Sequence, residues 1–319
     1  MDSSTLDEVD QRLVHELQQD GRAPFSRIAE AVGVSEHTVA RRYRRLLSLG
    51  LRVIAVPGRR DPGPTGWLLR VTCVPDSSVK IADALARRPD TAWVALASGG
   101  TEVHCAVQTH TVGERDALLL HKLPHTPRVV SVDAHCLLHA FADASEAWRI
   151  PAASPQAARP GGRPAPEPAA PDPVDEQLLA ELARDGRRAL TDLARSTGRS
   201  PAAVTRRLER LRATGAMRFV VEFSPEHLGY RVLVRFWLRV APGQLGAVGS
   251  ALAARPEISY VAAYTGVANL IAFGMFRDTE ELYRFLDHRI GTLPGVQSVE
   301  TTPILREVKR LTYDRTPTR

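Results

Sequence analysis

Four arginines occupy five consecutive positions, Arg41–Arg45, within a stretch that reads SEHTVARRYRRLLSLG from Ser35 to Gly50. The stretch returns as SPAAVTRRLERLRATG from Ser200 to Gly215, again with an opening Ser, an arginine pair and a closing Gly. An arginine side chain can hold a phosphate or a guanine edge with two hydrogen bonds. The two stretches therefore predict two DNA-contacting helices.

The candidate DNA-binding residues lie on these helices or at their starts. We expect Arg41, Arg44, Arg206 and Arg210 to contact phosphate or guanine, whereas Arg42 and Arg207 either contact DNA or brace their domain. The complete set is Ser35, Glu36, His37, Thr38, Arg41, Arg42, Arg44, Arg45, Ser200, Ala202, Thr205, Arg206, Arg207 and Arg210.

Two shorter helices precede each arginine-rich helix. Apolar residues at helical spacing predict helices over Leu6–Gln19 and Phe25–Val32, with Gly21 as a left-handed C-cap of the first. Gly33 then predicts a tight turn, and Ser35 is placed to cap the third helix. The second copy repeats the order, which is the helix-turn-helix arrangement of DNA-binding proteins. The repeated elements are Val174–Arg184, Leu190–Thr197, the turn at Gly198 and a helix that starts at Ser200-Pro201.

The exposed residues of the two arginine-rich helices differ. Glu36, His37 and Ala40 stand in the first copy, whereas Ala202, Ala203 and Thr205 stand in the second. A symmetric dimer reads a palindrome. We therefore expect this chain to read two unequal half-sites, about one DNA turn or a multiple of it apart.

A second pattern follows each helix-turn-helix segment. After a short strand (52–56 and 217–223), the periodicity predicts the order βαββαβ twice, which is a ferredoxin-like domain. The first copy comprises Trp67–Val74, Val79–Arg87, Thr91–Ala97, Val103–Thr109, Gly113–Lys122 and Arg128–Leu138; the second comprises Tyr230–Val240, Gln244–Ala254, Ile258–Thr265, Asn269–Met275, Thr279–Thr292 and Val296–Leu305.

The fold class is therefore α+β, with two winged or helix-turn-helix domains and two ferredoxin-like domains in tandem. The chain is an internal duplication. We place the domains at 1–56, 66–145, 174–223 and 229–313. A Pro- and Ala-rich segment at 151–173 predicts an extended linker.

Composition limits the classes of function. The 319 residues carry a net charge of +6, with 42 lysines and arginines, which favours a polyanionic partner without proving one. The N-terminal sequence MDSSTLDEVD lacks an apolar run, and no window reaches the roughly 18 apolar residues of a membrane span. Three unpaired cysteines suit a reducing compartment. These features predict a cytoplasmic protein with no membrane partner.

The ordered set of motifs resembles the Lrp/AsnC (leucine-responsive, or feast/famine) transcriptional regulators. The resemblance is carried in the second copy by VDEQLLAELARDGR, RRLERLRATGAM, YTGVANLIAF and LPGVQSVETTPIL. In such proteins the βαββαβ domain is a RAM-type sensor. The resemblance implies a transcription factor rather than an enzyme, double-stranded DNA as partner, self-association through the sensor domains, and neither a cofactor nor a metal.

The resemblance also implies where an amino-acid-like effector binds, near the turn after the second sensor strand. The matching residues are Thr265, Gly266 and Asn269, with Ser98, Gly99 and Glu102 in the first copy. The family favours an Asp shortly after the Gly. Asn269 offers only a neutral amide to an ammonium group, which argues against a simple amino acid at the second site.

Three alternatives stay open at this stage. Some proteins that resemble this family decarboxylate sirohaem, but they should present His and Arg in a sensor pocket, and ISYVAAYTGVANL has no His. A metal or redox sensor could use His104-Cys105 and His135-Cys136, although this spacing matches no standard zinc pattern. A DNA-organising protein without any ligand is the third.

Overall fold

The computed structural model describes residues 6–57, 65–109, 111–142 and 172–310. The predicted linker lies outside these residues except for its last two positions. Contacts divide the chain into two units, one of Met1–Gly63 with Trp148–Leu228 and the other of Pro64–Ala147 with Gly229–Arg319. Each unit therefore combines one domain from each repeat: the first holds both helix-turn-helix segments, and the second holds both sensor domains.

The described helices and strands follow the predicted order. The first repeat contains α1 (Glu8–Gln19), α2 (Phe25–Val32), α3 (Glu36–Ser48), β1 (Arg52–Pro57), β2 (Thr65–Cys73), α4 (Ser78–Ala86), β3 (Thr91–Ala97), β4 (Glu102–Thr109), α5 (Val112–Asp116, continued by a π-helical turn to Lys122) and β5 (Val129–Ala142). The second contains α6 (Pro173–Arg184), α7 (Leu190–Thr197), α8 (Pro201–Ala213), β6 (Met217–Glu222), β7 (Val232–Val240), α9 (Leu245–Ala253), β8 (Ile258–Tyr264), β9 (Leu270–Phe276), α10 (Thr279–Phe285, continued by a π-helical turn to Ile290) and β10 (Val296–Lys309).

The predicted caps of the arginine-rich helices are confirmed. The Ser35 hydroxyl accepts a hydrogen bond from the Thr38 amide at 3.2 Å, and the Ser200 hydroxyl accepts one from the Ala203 amide at 3.3 Å. Gly33 has a φ of 80° at the turn before α3. A side-chain acceptor satisfies an amide that has no partner within the helix, so both helices begin where the sequence predicts.

The predicted left-handed cap at Gly21 is wrong. Helix α1 ends at Gln19, its capping residue Asp20 is extended, and Gly21 does not have a positive φ. A Cβ atom at Gly21 would lie 2.7 Å from the Cβ of Phe219. Glycine is needed here because the second repeat approaches the backbone closely, not because the turn is left-handed.

Strands β1 and β6 join the two helix-turn-helix segments into one unit. They pair antiparallel, from Arg52 opposite Glu222 to Pro57 opposite Met217. Val221 and Phe223 pack in the core of the first helix-turn-helix segment, and Ala55 packs in the core of the second. Each segment is therefore completed by residues that follow the other segment in sequence.

The sensor unit is a closed antiparallel sheet of eight strands in the order β10-β3-β4-β2-β5-β8-β9-β7. Strands β5 and β10 run beyond their predicted ends because they cross to the other half. Leu137 of β5 lies opposite Tyr264, and Ile304 of β10 lies opposite Ala97. The two sensor domains thus pair with each other within one chain.

In each half of the sheet, one face packs against helices. The opposite faces of the two halves contact each other. Helix-side residues include Phe236 and Leu238 in the second half and Leu69 and Val71 in the first. We call the region between the halves the inner core. Its members used below are Leu68, Arg70, Trp93, Glu102, His104, His135, Arg235, Trp237, Tyr260, Tyr264 and Phe273.

None of the helices in the described ranges combines the length and the apolar character that crossing a membrane requires.

Candidate DNA interface and sensor sites

Two of the four clustered arginines of α3 are ion-paired to α1. The Arg42 guanidinium donates to Asp7 at 2.6 Å and to Asp10 at 2.9 Å, and Arg45 donates to Asp10 at 2.8 Å. The Asp10 side chain is fully buried. The hydrogen bond to Asp7 is the largest cause that raises the pKa of Arg42. A buried carboxylate needs such partners, so Arg42 and Arg45 brace the domain.

The second copy repeats this brace. Arg207 donates to Asp172 at 2.6 Å and to Asp175 at 2.8 Å, and Arg210 also bonds Asp175, whose side chain is buried. The hydrogen bond to Asp172 raises the pKa of Arg207. Of the residues expected to contact DNA, Arg210 is therefore already held by its own domain, and its DNA contact stays a prediction.

Arg41, Arg44 and Arg206 are the exposed arginines of these helices that form no ion pair within the described residues. Arg44 donates to the carbonyl of Ala40, which orients it along the helix. Arg41 and Arg206 are 165 positions apart and occupy the same place in the two helices. These three guanidinium groups remain available to a phosphate or a base.

The smaller candidates divide into capping and exposed residues. Thr38 shares a hydrogen bond with the capping Ser35, and Thr205 donates to the carbonyl of Pro201 at 3.0 Å. Glu36, His37 and Ala202 are exposed at the helix starts. The N-terminal residues of a recognition helix are those that reach base edges. If α3 and α8 are recognition helices, their different exposed residues would contact different bases.

A reciprocal pair of arginines connects the two helix-turn-helix segments. Arg22 donates to the carbonyls of Gly186 and Arg188 at 2.7 and 3.0 Å, and Arg187 donates to those of Gly21 and Ala23 at 2.8 and 2.9 Å. We call these four hydrogen bonds the arginine clasp. Burial is the largest cause that lowers the pKa of both arginines, and Arg187 also lowers that of Arg22.

The clasp is reinforced by close backbone approach. The Gly186 amide donates to the Val53 carbonyl at 2.7 Å, and a Cβ atom at Gly186 would lie 2.8 Å from that oxygen. The Arg187 guanidinium also stacks 4.8 Å from the Phe25 ring. Together these contacts fix the separation between the two arginine-rich helices.

The first predicted effector turn has a left-handed backbone. Ser98 and Gly99 have φ values of 49° and 67°. The Glu102 carboxylate, however, accepts two hydrogen bonds from Arg70, both at 2.9 Å, and contacts His104 Nε2 at 3.0 Å. Burial raises the pKa of Glu102, but His104 and Arg70 outweigh it and hold that pKa at about 2. The carboxylate is thus a member of the inner core.

The second predicted turn contacts β5 of the other half. The Thr265 hydroxyl accepts from the Cys136 amide at 2.9 Å, and the Thr265 carbonyl lies 2.9 Å from His135 Nδ1. Gly266 has a φ of 114°. Asn269 exchanges two hydrogen bonds with the Val240 backbone. The Asn269 amide therefore closes the end of β7, and its binding of an effector stays a prediction.

Sequence reasoning missed the inner core as a polar site. Arg70 lies 5.2 Å from the Trp237 ring, and His104 and His135 lie 5.3 and 5.5 Å from it. Arg70 also bonds Glu300 of the other half. Burial lowers the pKa of His104 to about 4. Alternation along the strands places these residues on one face, but only the closure of the sheet brings the two halves together.

Within the described ranges, no three side chains of His, Cys, Asp or Glu gather in a way that could hold a metal ion. In the His104-Cys105 pair noted in the sequence, the two side chains lie on opposite faces of the strand. Cys105 is buried among helix-side residues, whereas His104 is in the inner core.

Family models match both kinds of domain. The AsnC-type helix-turn-helix domain matches residues 6–47 and 172–212, and the Lrp/AsnC ligand binding domain matches residues 233–313.

Individual proteins are similar to this chain either in sequence or in structure. The HTH-type transcriptional regulator FL11 of Pyrococcus horikoshii is 32% identical over 142 residues, which cover 44% of this chain and 93% of FL11. The HTH-type transcriptional regulator Ptr1 of Methanocaldococcus jannaschii is 27% identical over 43% of this chain and 94% of Ptr1. The crystal structure of the siroheme decarboxylase NirDL superposes with a TM-score of 0.63 at 15% identity, over 95% of this chain and 93% of NirDL. A likeness at that identity shows a shared fold and nothing more.

Proposed function

Because the chain belongs to the Lrp/AsnC family of transcriptional regulators, we propose that it binds double-stranded DNA as an internally fused pseudo-dimer that reads two unequal half-sites. Helices α3 and α8 are the recognition helices. The observation that carries this proposal is the division of arginines: Arg41, Arg44 and Arg206 are exposed and unpaired within the described residues, while their neighbours brace the domain.

The fused form explains why the half-sites are unequal. The arginine clasp holds the two segments together, so both helices meet DNA at one fixed separation. Their exposed residues differ, with His37 in the first copy where Ala202 stands in the second. A regulator of this kind works in the cytoplasm, on chromosomal DNA.

The experiment is a selection of bound sequences from a random DNA library, followed by titration of the best site over a salt series. We expect an asymmetric motif with two arms, and a salt slope that reports several phosphate contacts. Perfect palindromes alone would contradict the fused-reader proposal. Binding with a steep salt slope and no sequence preference would instead support a ligand-independent DNA-organising protein.

Regulation by a small molecule is the second part of the proposal. The chain carries a matched ligand-binding domain, and its closed sheet holds charged and aromatic residues between the halves. We infer that an amino-acid-like or other carboxylate effector changes DNA affinity. Isothermal titration of the selected DNA site, with and without each of the 20 standard amino acids, tests the first class of effector.

A second candidate function is decarboxylation of sirohaem, the activity that names NirDL. The observation that favours it is the presence of Arg70, His104, His135 and Arg235 in one inner core, which the sequence had not predicted. Purified protein is mixed with sirohaem, and bound pigment and released carbon dioxide are measured. Stoichiometric pigment binding with carbon dioxide release supports an enzyme; the absence of both supports the regulator alone.

A further inference from the structure

Arg235 is a charged side chain in the middle of the inner core. The residue is 5% exposed, and its guanidinium carbon lies 4.4 Å from the Trp93 ring, 5.9 Å from the Phe273 ring and 6.0 Å from the Trp237 ring. Trp93 belongs to one half of the closed sheet and the other residues to the opposite half. The guanidinium is therefore held between aromatic walls from both halves.

No carboxylate in the described part of the chain forms an ion pair with this cation. Within the described residues Arg235 forms no ion pair, and its Nε atom has no hydrogen-bond partner. Glu307, the acidic residue that contributes to its electrostatics, is engaged by Trp93 Nε1 at 2.9 Å and by Arg310 Nε at 2.7 Å. Burial lowers the pKa of Arg235 to about 10, so the group is still charged at neutral pH. An unpaired buried charge is costly.

The fold does not require an arginine at this position. Leu68 precedes Arg235 by 167 residues, the same interval that separates Arg88-Pro89 from Arg255-Pro256. Strand pairing confirms that the two positions are equivalent. Leu68 lies opposite Ala106 and His135, and Arg235 lies opposite Phe273 and Thr302, which follow Ala106 and His135 by the same 167 residues. Leu68 is 1% exposed. One half therefore keeps leucine where the other keeps an unpaired charge.

The other ionisable groups near Arg235 are not unpaired cations. Arg70 is neutralised by Glu102 and Glu300, and His104 is neutral because burial lowers its pKa to about 4. The Tyr260 and Tyr264 hydroxyls lie 2.6 Å apart beside the cluster. Among the described residues, Arg235 is thus the inner-core cation without an ion-pair partner. A carboxylate can accept two parallel hydrogen bonds from one guanidinium.

We propose that Arg235 anchors a binding site for a small carboxylate in the inner core, walled by Trp93, Trp237 and Phe273. There is one such site per chain, because the equivalent position in the first half is Leu68. The proposal concerns ligand binding and does not depend on DNA binding; if the regulator function holds, this is its effector site. The proposed anchor and walls are different residues from the predicted turn residues Thr265, Gly266 and Asn269.

The probe is acetate, because a small carboxylate needs little space beside an enclosed guanidinium. Acetate is titrated into the full chain at constant ionic strength, with acetamide as a neutral compound of the same shape. Tryptophan fluorescence and the unfolding temperature are both recorded. We expect a saturable response to acetate and none to acetamide, since Trp93 and Trp237 face the anchored group.

Arg235→Leu copies the residue of the other half and is expected to fold. It should weaken the acetate response at least tenfold. Arg239→Leu is the matched control, since Arg239 is exposed four residues further along β7, and it should keep the wild-type response. Arg235→Lys retains a charge without the two-pronged geometry and should fall between them.

An equal acetate response in wild type and Arg235→Leu overturns the proposal, as does a wild-type response that does not saturate. Binding of the selected DNA site is measured in the same samples. If wild type does not bind DNA, the proposed function is contradicted. The acetate titration still decides whether Arg235 anchors a carboxylate site.

Discussion

His104 shows how one buried side chain can couple stability to pH. Burial is the main cause that lowers its pKa to about 4, and the nearby guanidinium of Arg235 lowers it further, against the opposing contact with Glu102. In the unfolded chain the pKa is 6.5. Between these two values the unfolded state binds a proton that the folded state does not, so stability falls as the pH is lowered.

We therefore expect the free energy of unfolding of wild type to decrease by up to about 3 kcal/mol between pH 6.5 and pH 4 from this group. Above pH 6.5 this loss is absent, because the ring is neutral in both the folded and the unfolded state. His104→Ile copies Ile271, its equivalent in the other half, and should flatten this part of the profile. Urea unfolding at several pH values measures it, with the exposed His139→Gln as control. An unchanged slope in His104→Ile would contradict the assignment.

Arginines that touch DNA and arginines that brace the fold should separate by mutation. Arg41→Ala and Arg206→Ala should each weaken binding of the selected site by about 1–3 kcal/mol and leave the unfolding temperature unchanged. Arg42→Ala and Arg207→Ala remove a partner of a buried aspartate, so they should lower the unfolding temperature. Thermal melts and binding titrations on the same samples distinguish the two groups. A stable Arg42→Ala with weakened DNA binding would reverse the assignment.

At the scale of elements, the arginine clasp sets the distance between the recognition helices. The double variant Arg22→Ala/Arg187→Ala removes its four hydrogen bonds but leaves the strand pair β1–β6. We expect the variant to tolerate half-sites moved apart by a few base pairs, whereas wild type loses affinity. Binding is measured on a set of sites that differ only in spacing.

Arg27→Ala is the control for the clasp, because Arg27 is exposed and lies 3.9 Å from Asp20 in a weak ion pair. It should keep the wild-type dependence on spacing. If the double variant also keeps that dependence, the remaining contacts between the segments, such as the strand pair and the Gly186–Val53 hydrogen bond, fix the helices without the clasp.

Gly186 marks a point where two elements touch without room for a side chain. In Gly186→Ala the new Cβ would lie 2.8 Å from the Val53 carbonyl oxygen, which is backbone and cannot rotate away. We expect a loss of about 1–3 kcal/mol in the stability of the helix-turn-helix unit. Gly246→Ala in α9 meets nothing within 4 Å and should be neutral or slightly stabilising. Circular dichroism during urea unfolding measures both.

The sequence predicts elements better than it predicts how the elements exchange between repeats. Helices α2 and α7 and strand β3 begin and end where periodicity and capping residues place them. Strands β5 and β10 run four residues past their predicted ends, because pairing across the halves depends on residues more than 100 positions away. Gly21 was misread for the same reason, since Phe219 comes from the other repeat.

The candidate sites also divide into those set by local sequence and those set by contacts between distant residues. The exposed arginines could be named from spacing, and so could the duplicated caps, because these depend on local structure. The inner core could not, because Arg235 meets Trp93 only when the sheet closes. The bracing role of Arg210 was also hidden, since Asp175 lies 35 positions before it in another helix.

The whole molecule is a dimer-like assembly made within one chain, and this freedom from symmetry has a direct consequence for DNA reading. The proposed recognition helices keep the same caps and the same braces, yet they differ at the positions that we expect to reach base edges. His37, Thr38 and Ala40 in α3 correspond to Ala202, Ala203 and Thr205 in α8. If these residues specify sequence, changing them should change one arm of the motif and leave the other arm unchanged.

The variant Ala202→His/Ala203→Thr/Thr205→Ala gives α8 the reading residues of α3 and leaves Ser200, Arg206 and the brace intact. We expect the selected motif to become a near-palindrome whose two arms both match the former first arm. The measurement is the same library selection applied to wild type and variant, and a second variant with the reverse change in α3 should duplicate the other arm. If both variants keep the wild-type motif, sequence is read by other residues, and the differences between the two helices do not set the asymmetry.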